Sequence, residues 1–308
     1  METTLQTKKR TMGQSKKLKD TIFVYCLIAL PLIEFFTIYV YTNIDSFFLA
    51  FKRNGEFSGL ANFELLLADI RSPASTLLVA FKNTFIYFGA DCILFVWSIF
   101  IAYFFYKRLA GYKFFRFVLY MPAIISPVVF VALFKNITAS DGAIGLIIQK
   151  FNPEFVMPEL LFQPETATWT MVVYVLWMGW TKNMLYLGGS LARIPLEVLE
   201  SARIDGVGAW DELTKILIPL LYPTLSTLLL LDVIGILSSS GPILLFTGKA
   251  SDKLQTTTIS YWMFQKVYAT GENAYAEASA AGMCLTAIMF PIIYIMRWLI
   301  NKVEAVEY

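Results

Sequence analysis

About 20 consecutive apolar residues cross the hydrocarbon of a bilayer, and the chain holds several runs of that length. No other feature narrows its fold as much. Six read as spans, near 21–41, 78–106, 114–135, 168–189, 214–240 and 279–300. Inside a bilayer each backbone N–H and C=O must find its partner within the protein, so such runs predict helices. Composition agrees: of 308 residues 57% are hydrophobic and 16% charged, against about 25% charged in a soluble domain. The expected fold class is all-α, a polytopic membrane protein with six transmembrane helices. Pro31, Pro122, Pro127 and Pro291 fall within spans and are tolerated where neighbours satisfy the freed carbonyls.

Lys and Arg set the orientation. On one side lie Lys8, Lys9, Arg10, Lys16, Lys17 and Lys19 of the N-terminal tail, Lys107, Arg108, Lys113 and Arg116 of the second turn, Arg193, Arg203 and Lys215 near 190–215, and Arg297 and Lys302 at the end. The alternate loops hold Lys52, Arg53, Arg71, Lys135, Lys150, Lys249, Lys253 and Lys266. The larger set predicts that side, with both termini, to be cytoplasmic. The basic tail and the long apolar run after it read as a retained first span rather than a cleaved signal. The chain has no histidine, which excludes His-liganded metal sites and histidine proton relays. Cys26, Cys92 and Cys284 lie singly in apolar runs and are expected to be packing residues.

Residues 194–220, IPLEVLESARIDGVGAWDELTKILIPL, are a polar stretch between two apolar spans. Pro195 suits the first turn of a helix, where its missing N–H would be unpaired anyway, and the dipole favours Glu197 in the same turn. The helix is expected to run to about Ile204, with Gly206 in the left-handed position that ends it. A second helix starts at Asp211 and leads into the fifth span. Leu196, Leu199 and Arg203 share one face, with Glu200 beside them. Helices that rest on lipid headgroups are rich in Lys and Arg. Residues 196–212 instead hold Glu197, Glu200, Asp205, Asp211 and Glu212 against Arg203 alone, a balance that suits a basic protein partner.

The spacing Glu200-Ser201-Ala202, three residues, Gly206, nine residues, Ile216-x-Ile218-Pro219 resembles the EAA loop of binding-protein-dependent ABC import permeases. That family's pattern is Glu-Ala-Ala, three residues, Gly, nine residues, Ile-x-Leu-Pro, so this chain departs only at Ser201 and Ile218. The stretches SGLANFELLL at 58–67, KNT at 82–84 and FFRFVLYMPAIISPVVF at 114–130 are similar to the carbohydrate-uptake permeases, and to the larger, maltose-type subunit among them. The resemblance implies a non-catalytic permease domain over 21–308, with its EAA loop at about 194–219, preceded by a basic cytoplasmic tail over 1–20. It implies that Glu200, Ser201, Ala202, Arg203, Asp205 and Gly206 belong to a cytoplasmic coupling helix seated in a cleft of an ATPase. It further implies a second homologous permease, two ATPase subunits, an extracellular binding protein and a multi-pass place in a bacterial cytoplasmic membrane. No cofactor is expected on this chain, since ATP and Mg belong to the ATPase. Consistently, no GxxxxGK[ST] phosphate loop occurs. No nucleic acid partner is expected.

Charged groups inside spans are functional candidates, because each costs about 2.5 kcal/mol or more at the bilayer centre. Glu34, Asp91, Lys182 and Asp232 are four such groups. Asp232, Gly235, Ile236 and Ser239 fall at i, i+3, i+4 and i+7, one helical face beside the helix-breaking Gly241-Pro242. Such a face can glue helices together or line a water-filled path. Ungapped likeness to the maltose-type subunit places that subunit's sugar contacts at 232, 235, 236 and 239, and at Gly179 and Lys182 after Leu176-Trp177-Met178. The residue types differ from that subunit's, so the position of the site is implied but maltose specificity is not. Asp232 can accept two sugar hydroxyls or pair with Lys182. Trp177, Trp180 and Tyr186 offer faces for sugar stacking or for packing. The expected function is the transmembrane subunit of an importer for an oligosaccharide or related sugar. The rivals are a permease for another solute such as glycerol phosphate, and a transporter in which Glu34, Asp91 and Asp232 carry protons.

Overall fold

The computed structural model describes residues 19–73, 75–237, 242–247, 256–269 and 272–303. Residues 1–18 of the expected basic tail and Ser239 lie outside the described residues. Among the described residues, five stretches are long and apolar enough to cross a membrane: Lys19–Ala50, Thr76–Tyr106, Pro127–Phe151, Ala209–Gly235 and Asn273–Asn301. Regular structure is otherwise helical, apart from two strands of two residues each. The chain is thus an all-α polytopic membrane protein, but two of the six expected spans differ from single helices.

The third, expected over 114–135, is broken between Tyr112–Ile124 and Pro127–Thr138. Pro127 disfavours helical backbone at the residue before it, and Ser126 sits at ψ 133°, outside the helix. The fourth, expected over 168–189, is two helices, Pro164–Gly179 and Met184–Leu191, each shorter than a membrane. No proline marks that break, so periodicity reads straight across it.

The chain divides into two compact units, Met1–Leu65 with Thr270–Met283, and Leu66–Ala269 with Cys284–Tyr308. In the first, helix α1 (Lys19–Ala50) is followed by strands β1 (Lys52–Arg53) and β2 (Glu56–Phe57). The strands pair antiparallel through Asn54-Gly55, at φ 52° and 80°, the positive angles a two-residue hairpin turn demands and Asn-Gly supplies. Helix α2 (Ala61–Arg71) follows, its residues up to Leu65 in this unit and the rest in the second. Asn62, fully buried, donates its amide to the carbonyls of Ala50 and Lys52, both at 2.8 Å. This gives a physical role to the asparagine of SGLANFELLL, which ties the end of α1 to the start of β1 by satisfying a carbonyl in each.

In the second unit, α3 (Thr76–Tyr106) begins at Ser75, whose hydroxyl accepts the Leu78 N–H at 3.1 Å. Its buried face includes Ala80, Thr84, Ala90, Ser98 and Ala102, small residues that let neighbouring helices approach closely. Then come α4 (Tyr112–Ile124), α5 (Pro127–Thr138), α6 (Ala143–Phe151), α7 (Pro164–Gly179), α8 (Met184–Leu191) and α9 (Leu196–Ile204). Helix α10 (Ala209–Gly235) contains a π-helical turn at Glu212–Leu217, one residue clear of Pro219. Pro219 offers no N–H to the carbonyl four residues earlier and crowds it, and the widened turn relieves that clash. Short α11 (Ile243–Thr247) and α12 (Ile259–Ala269) follow, and α13 (Glu272–Asn301) belongs to the first unit up to Met283 and to the second from Cys284.

The KNT stretch pins the start of α12. Asn83 donates to Thr257 O at 3.1 Å, and Thr84 Oγ1 accepts the Ile259 N–H at 3.0 Å. Two apolar clusters carry the packing, one around Phe130, Phe134, Met171, Tyr174 and Phe246, the other around Leu187, Leu191, Leu199, Leu213 and Leu217. The three cysteines are unpaired and exposed on their helices, rather than packed inside as expected.

Candidate functional site

The break between α7 and α8 opens a cavity of about 430 Å³. Thr84, Tyr87, Phe88 and Asp91 of α3 line it, with Tyr174, Val175, Met178 and Gly179 of α7, Lys182 of the break, Gly235 and Ile236 at the end of α10, and Thr258. Of the six residues expected on the substrate path, Gly179, Lys182, Gly235 and Ile236 therefore share one cavity.

Asp232 joins them through an ion pair. Its Oδ1 lies 2.7 Å from Lys182 Nζ, and its Oδ2 accepts the Asn183 side-chain amide at 3.5 Å. The Asp232 side chain is 8% exposed, that of Lys182 53%. The lysine thus leans over the cavity while a buried carboxylate holds it. With Asp91 on the facing helix, the cavity wall carries one acid and one base, and Asp232 lies behind the base. Such a wall can grip hydroxyls from several directions, since a carboxylate accepts and an ammonium donates.

The glycines differ. A Cβ at Gly179 would strike the Leu94 side chain, so this glycine is where α7 and α3 touch. A Cβ at Gly235 would meet nothing within 4 Å, so its small size keeps cavity space open. Trp177 stands edge-on to Phe130 at 5.4 Å and beside Phe134 at 6.0 Å, and Trp180 lies 6.1 Å from Trp97. Packing occupies both rings. Tyr186 is exposed and does not line the cavity.

The polar loop forms the helix that its sequence predicts. Pro195 caps α9 at ψ 140°, one position before its expected place in the first turn. Gly206 is at φ 70°, its N–H bonds Arg203 O at 3.1 Å, and the Val207 N–H bonds Ala202 O at 3.0 Å. That pair of bonds is a Schellman ending. Leu199 and Ala202 turn inward and are buried, while Glu200, Ser201, Arg203, Asp205 and Gly206 are exposed. Ala202 therefore belongs to the inner face, and Arg203 does not share the buried face of Leu199.

Two of the five acids counted on this segment are already matched. Asp211 pairs with Lys215 at 2.8 Å, and Glu212, 2% exposed, pairs with Lys107 at 2.6 Å. The π-turn that begins at Glu212 rotates it inward, which sequence spacing alone does not reveal. Among the described residues Glu197, Glu200 and Asp205 enter no ion pair, and they form the outward acidic face. No cluster of His, Cys, Asp and Glu suited to a metal occurs among the described residues.

Comparison with known proteins follows the same lines. The chain is 27% identical over 270 residues to the probable ABC transporter permease protein YesP of Bacillus subtilis, covering 85% of each chain. It is 22% identical to the multiple sugar-binding transport system permease protein MsmF of Streptococcus mutans, over 89% of this chain and 93% of the relative. Its fold matches a chain of a bacterial ABC transporter involved in import of the acidic polysaccharide alginate, with TM-score 0.77, 22% identity and coverage of 94% and 98%. The sequence pattern of one family spans residues 95–305, from the middle of α3 through the exposed acidic helix to the end of α13. On that match the chain belongs to the binding-protein-dependent transport system inner membrane components, a family of transport subunits rather than enzymes.

Proposed function

We propose that the chain is one transmembrane subunit of an ATP-driven importer for an oligosaccharide, delivered by an extracellular binding protein and driven by partner ATPases that dock on Leu196–Gly206. A second, homologous permease completes the path, which runs past Lys182, Asp232, Gly235 and Ile236. The Lys and Arg imbalance supports cytoplasmic termini and, with them, α9 on the ATPase side of the membrane.

One observation carries most of this reading. Helix α9 packs Leu199 and Ala202 inward yet leaves Glu197, Glu200 and Asp205 outside without ion partners. Water alone can solvate such a face, but the same residues carry the Glu200-to-Pro219 spacing of the family's docking loop, and together the two features favour a protein partner. The saccharide is supported by the cavity's mixture of a carboxylate, hydroxyls and aromatic rings, and by sugar-import relatives. A phosphate ester would call for free cations, whereas Lys182, the only basic residue lining the cavity among the described residues, is held by Asp232.

Reversing one charge tests the docking face. Glu200→Lys is expected to strip the ATPase from the purified complex while the permease pair stays assembled. Full co-purification together with parental uptake would remove the assignment.

A further inference from the structure

One uninterrupted element joins the neighbourhood of the docking segment to the cavity. Helix α3 brings Thr84, Tyr87, Phe88 and Asp91 to the cavity wall. Its other end grips the chain just beyond α9. Lys107, the residue after its last turn, places Nζ 2.6 Å from Glu212 Oε2. Tyr103 donates its hydroxyl to Ala209 O at 3.1 Å, with Glu212 Oε1 at 3.5 Å. Phe100 stacks on Trp210 with ring centres 6.2 Å apart. Every one of these contacts falls between α3 and residues 209–212, and none uses the exposed acidic face.

We propose that Lys107 and Glu212 are the joint through which movement of the docking segment becomes movement of α3, and so of the cavity wall. This rests on the reading of Leu196–Gly206 as the ATPase-docking segment. Both are positioning residues, since neither lines the cavity. Three physical points support the role. Separating a buried ion pair uncovers an unpaired charge, so the two elements are held to move together. The partners are short of slack: Glu212 begins a π-helical turn and Lys107 closes α3, each fixed by its own helix. Finally, packed elements shift as units rather than deforming continuously, so a displacement at 209–212 reaches Asp91 along one helix.

The test uses the full complex with its ATPases, purified in detergent, with Cys26, Cys92 and Cys284 replaced by serine and Phe88→Cys as reporter. The readout is the rate at which a small maleimide labels position 88, with and without ATP and magnesium. ATP is expected to change that rate in the parent. Lys107→Met or Glu212→Gln is expected to shrink the ATP-dependent change by roughly tenfold, within the ~5–150-fold range of coupling between sites, while ATPase subunits still co-purify and hydrolyse ATP. The exchange Lys107→Glu with Glu212→Lys is expected to restore most of the response, which a merely structural role would not predict. Single variants that respond like the parent would overturn the proposal. So would a lost response that the exchange fails to restore. If the single variants do not assemble, Lys107→Arg and Glu212→Asp keep the charges but change their reach, and an undiminished response in both overturns it. A parent without any ATP response would overturn the docking assignment as well, and loss of ATPase binding in Glu200→Lys separates the two failures.

Discussion

Asp232 answers to two neighbours at once, Lys182 at 2.7 Å and Asn183 at 3.5 Å, so removing it has two separable effects. One is loss of a carboxylate behind the cavity wall; the other is release of a lysine on that wall. Asp232→Leu is expected to abolish uptake while the complex still assembles. Adding Lys182→Met should leave uptake absent but recover stability, with a coupling energy of about 1 kcal/mol in a thermal-unfolding double-mutant cycle. The value sits at the low end because Lys182 is half exposed and can turn to water. Both residues are legible in the sequence as charges inside apolar spans. Their pairing is not, because it depends on a helix break at 180–183 that no proline announces and whose polar residues, Thr181, Lys182 and Asn183, are too few to interrupt an apolar run. The inward turn of Glu212 is hidden for a related reason: in sequence it is one more acid in an acidic loop, and only the π-turn ahead of Pro219 carries it into the interior.

Helix α9 is the most legible element, since its ends are set by local chemistry: Pro195 before it, Gly206 after it, and a buried stripe of two residues. Gly206 is held at φ 70°, and a Cβ there would meet nothing within 4 Å, so a substitution brings backbone strain and no collision. Gly206→Ala should therefore cost about 1–2 kcal/mol, the penalty of left-handed backbone for an L-residue, and Gly206→Asn should cost less. Amide hydrogen exchange over 196–206 measures this directly, with faster exchange in the alanine variant. Spans three and four read as single helices in the sequence because apolar periodicity continues across both breaks. The third carries a signal in Pro127, while the fourth carries only a short polar step at Thr181-Lys182-Asn183 and Gly179, whose close approach to Leu94 is a matter of packing.

At the scale of the whole chain, the all-α membrane class follows from run length alone, and the family from the fixed spacing between Glu200 and Pro219. The cavity is partly legible. Likeness points to Gly179, Lys182, Gly235 and Ile236, and to Asp232 behind them, but not to Thr84 and Tyr87 of α3, nor to Thr258, which is placed by the bonds from Asn83 and Thr84 to the start of α12. The unequal distribution of Lys and Arg makes a prediction for the entire topology. Alkaline phosphatase fused at the hairpin turn after Gly55 should be active, and fused at the C-terminus inactive. The reverse pattern would turn the molecule over and take α9 away from any cytoplasmic ATPase.

Of the five long apolar stretches, α3 alone contains no proline: Pro31, Pro127, Pro219 and Pro291 interrupt or begin the others. A helix without a proline keeps its full ladder of hydrogen bonds and has no built-in kink. Between Lys107 and Asp91 it acts as an arm of about 24 Å at 1.5 Å per residue, so a tilt of about 5° at the Glu212 end carries the Asp91 end by about 2 Å. That is the scale on which a hydrogen bond to a sugar hydroxyl is made or lost. Stiffness in α3 is thus a transport property, because the same push delivered through a hinged helix would be absorbed in bending before it reached the solute.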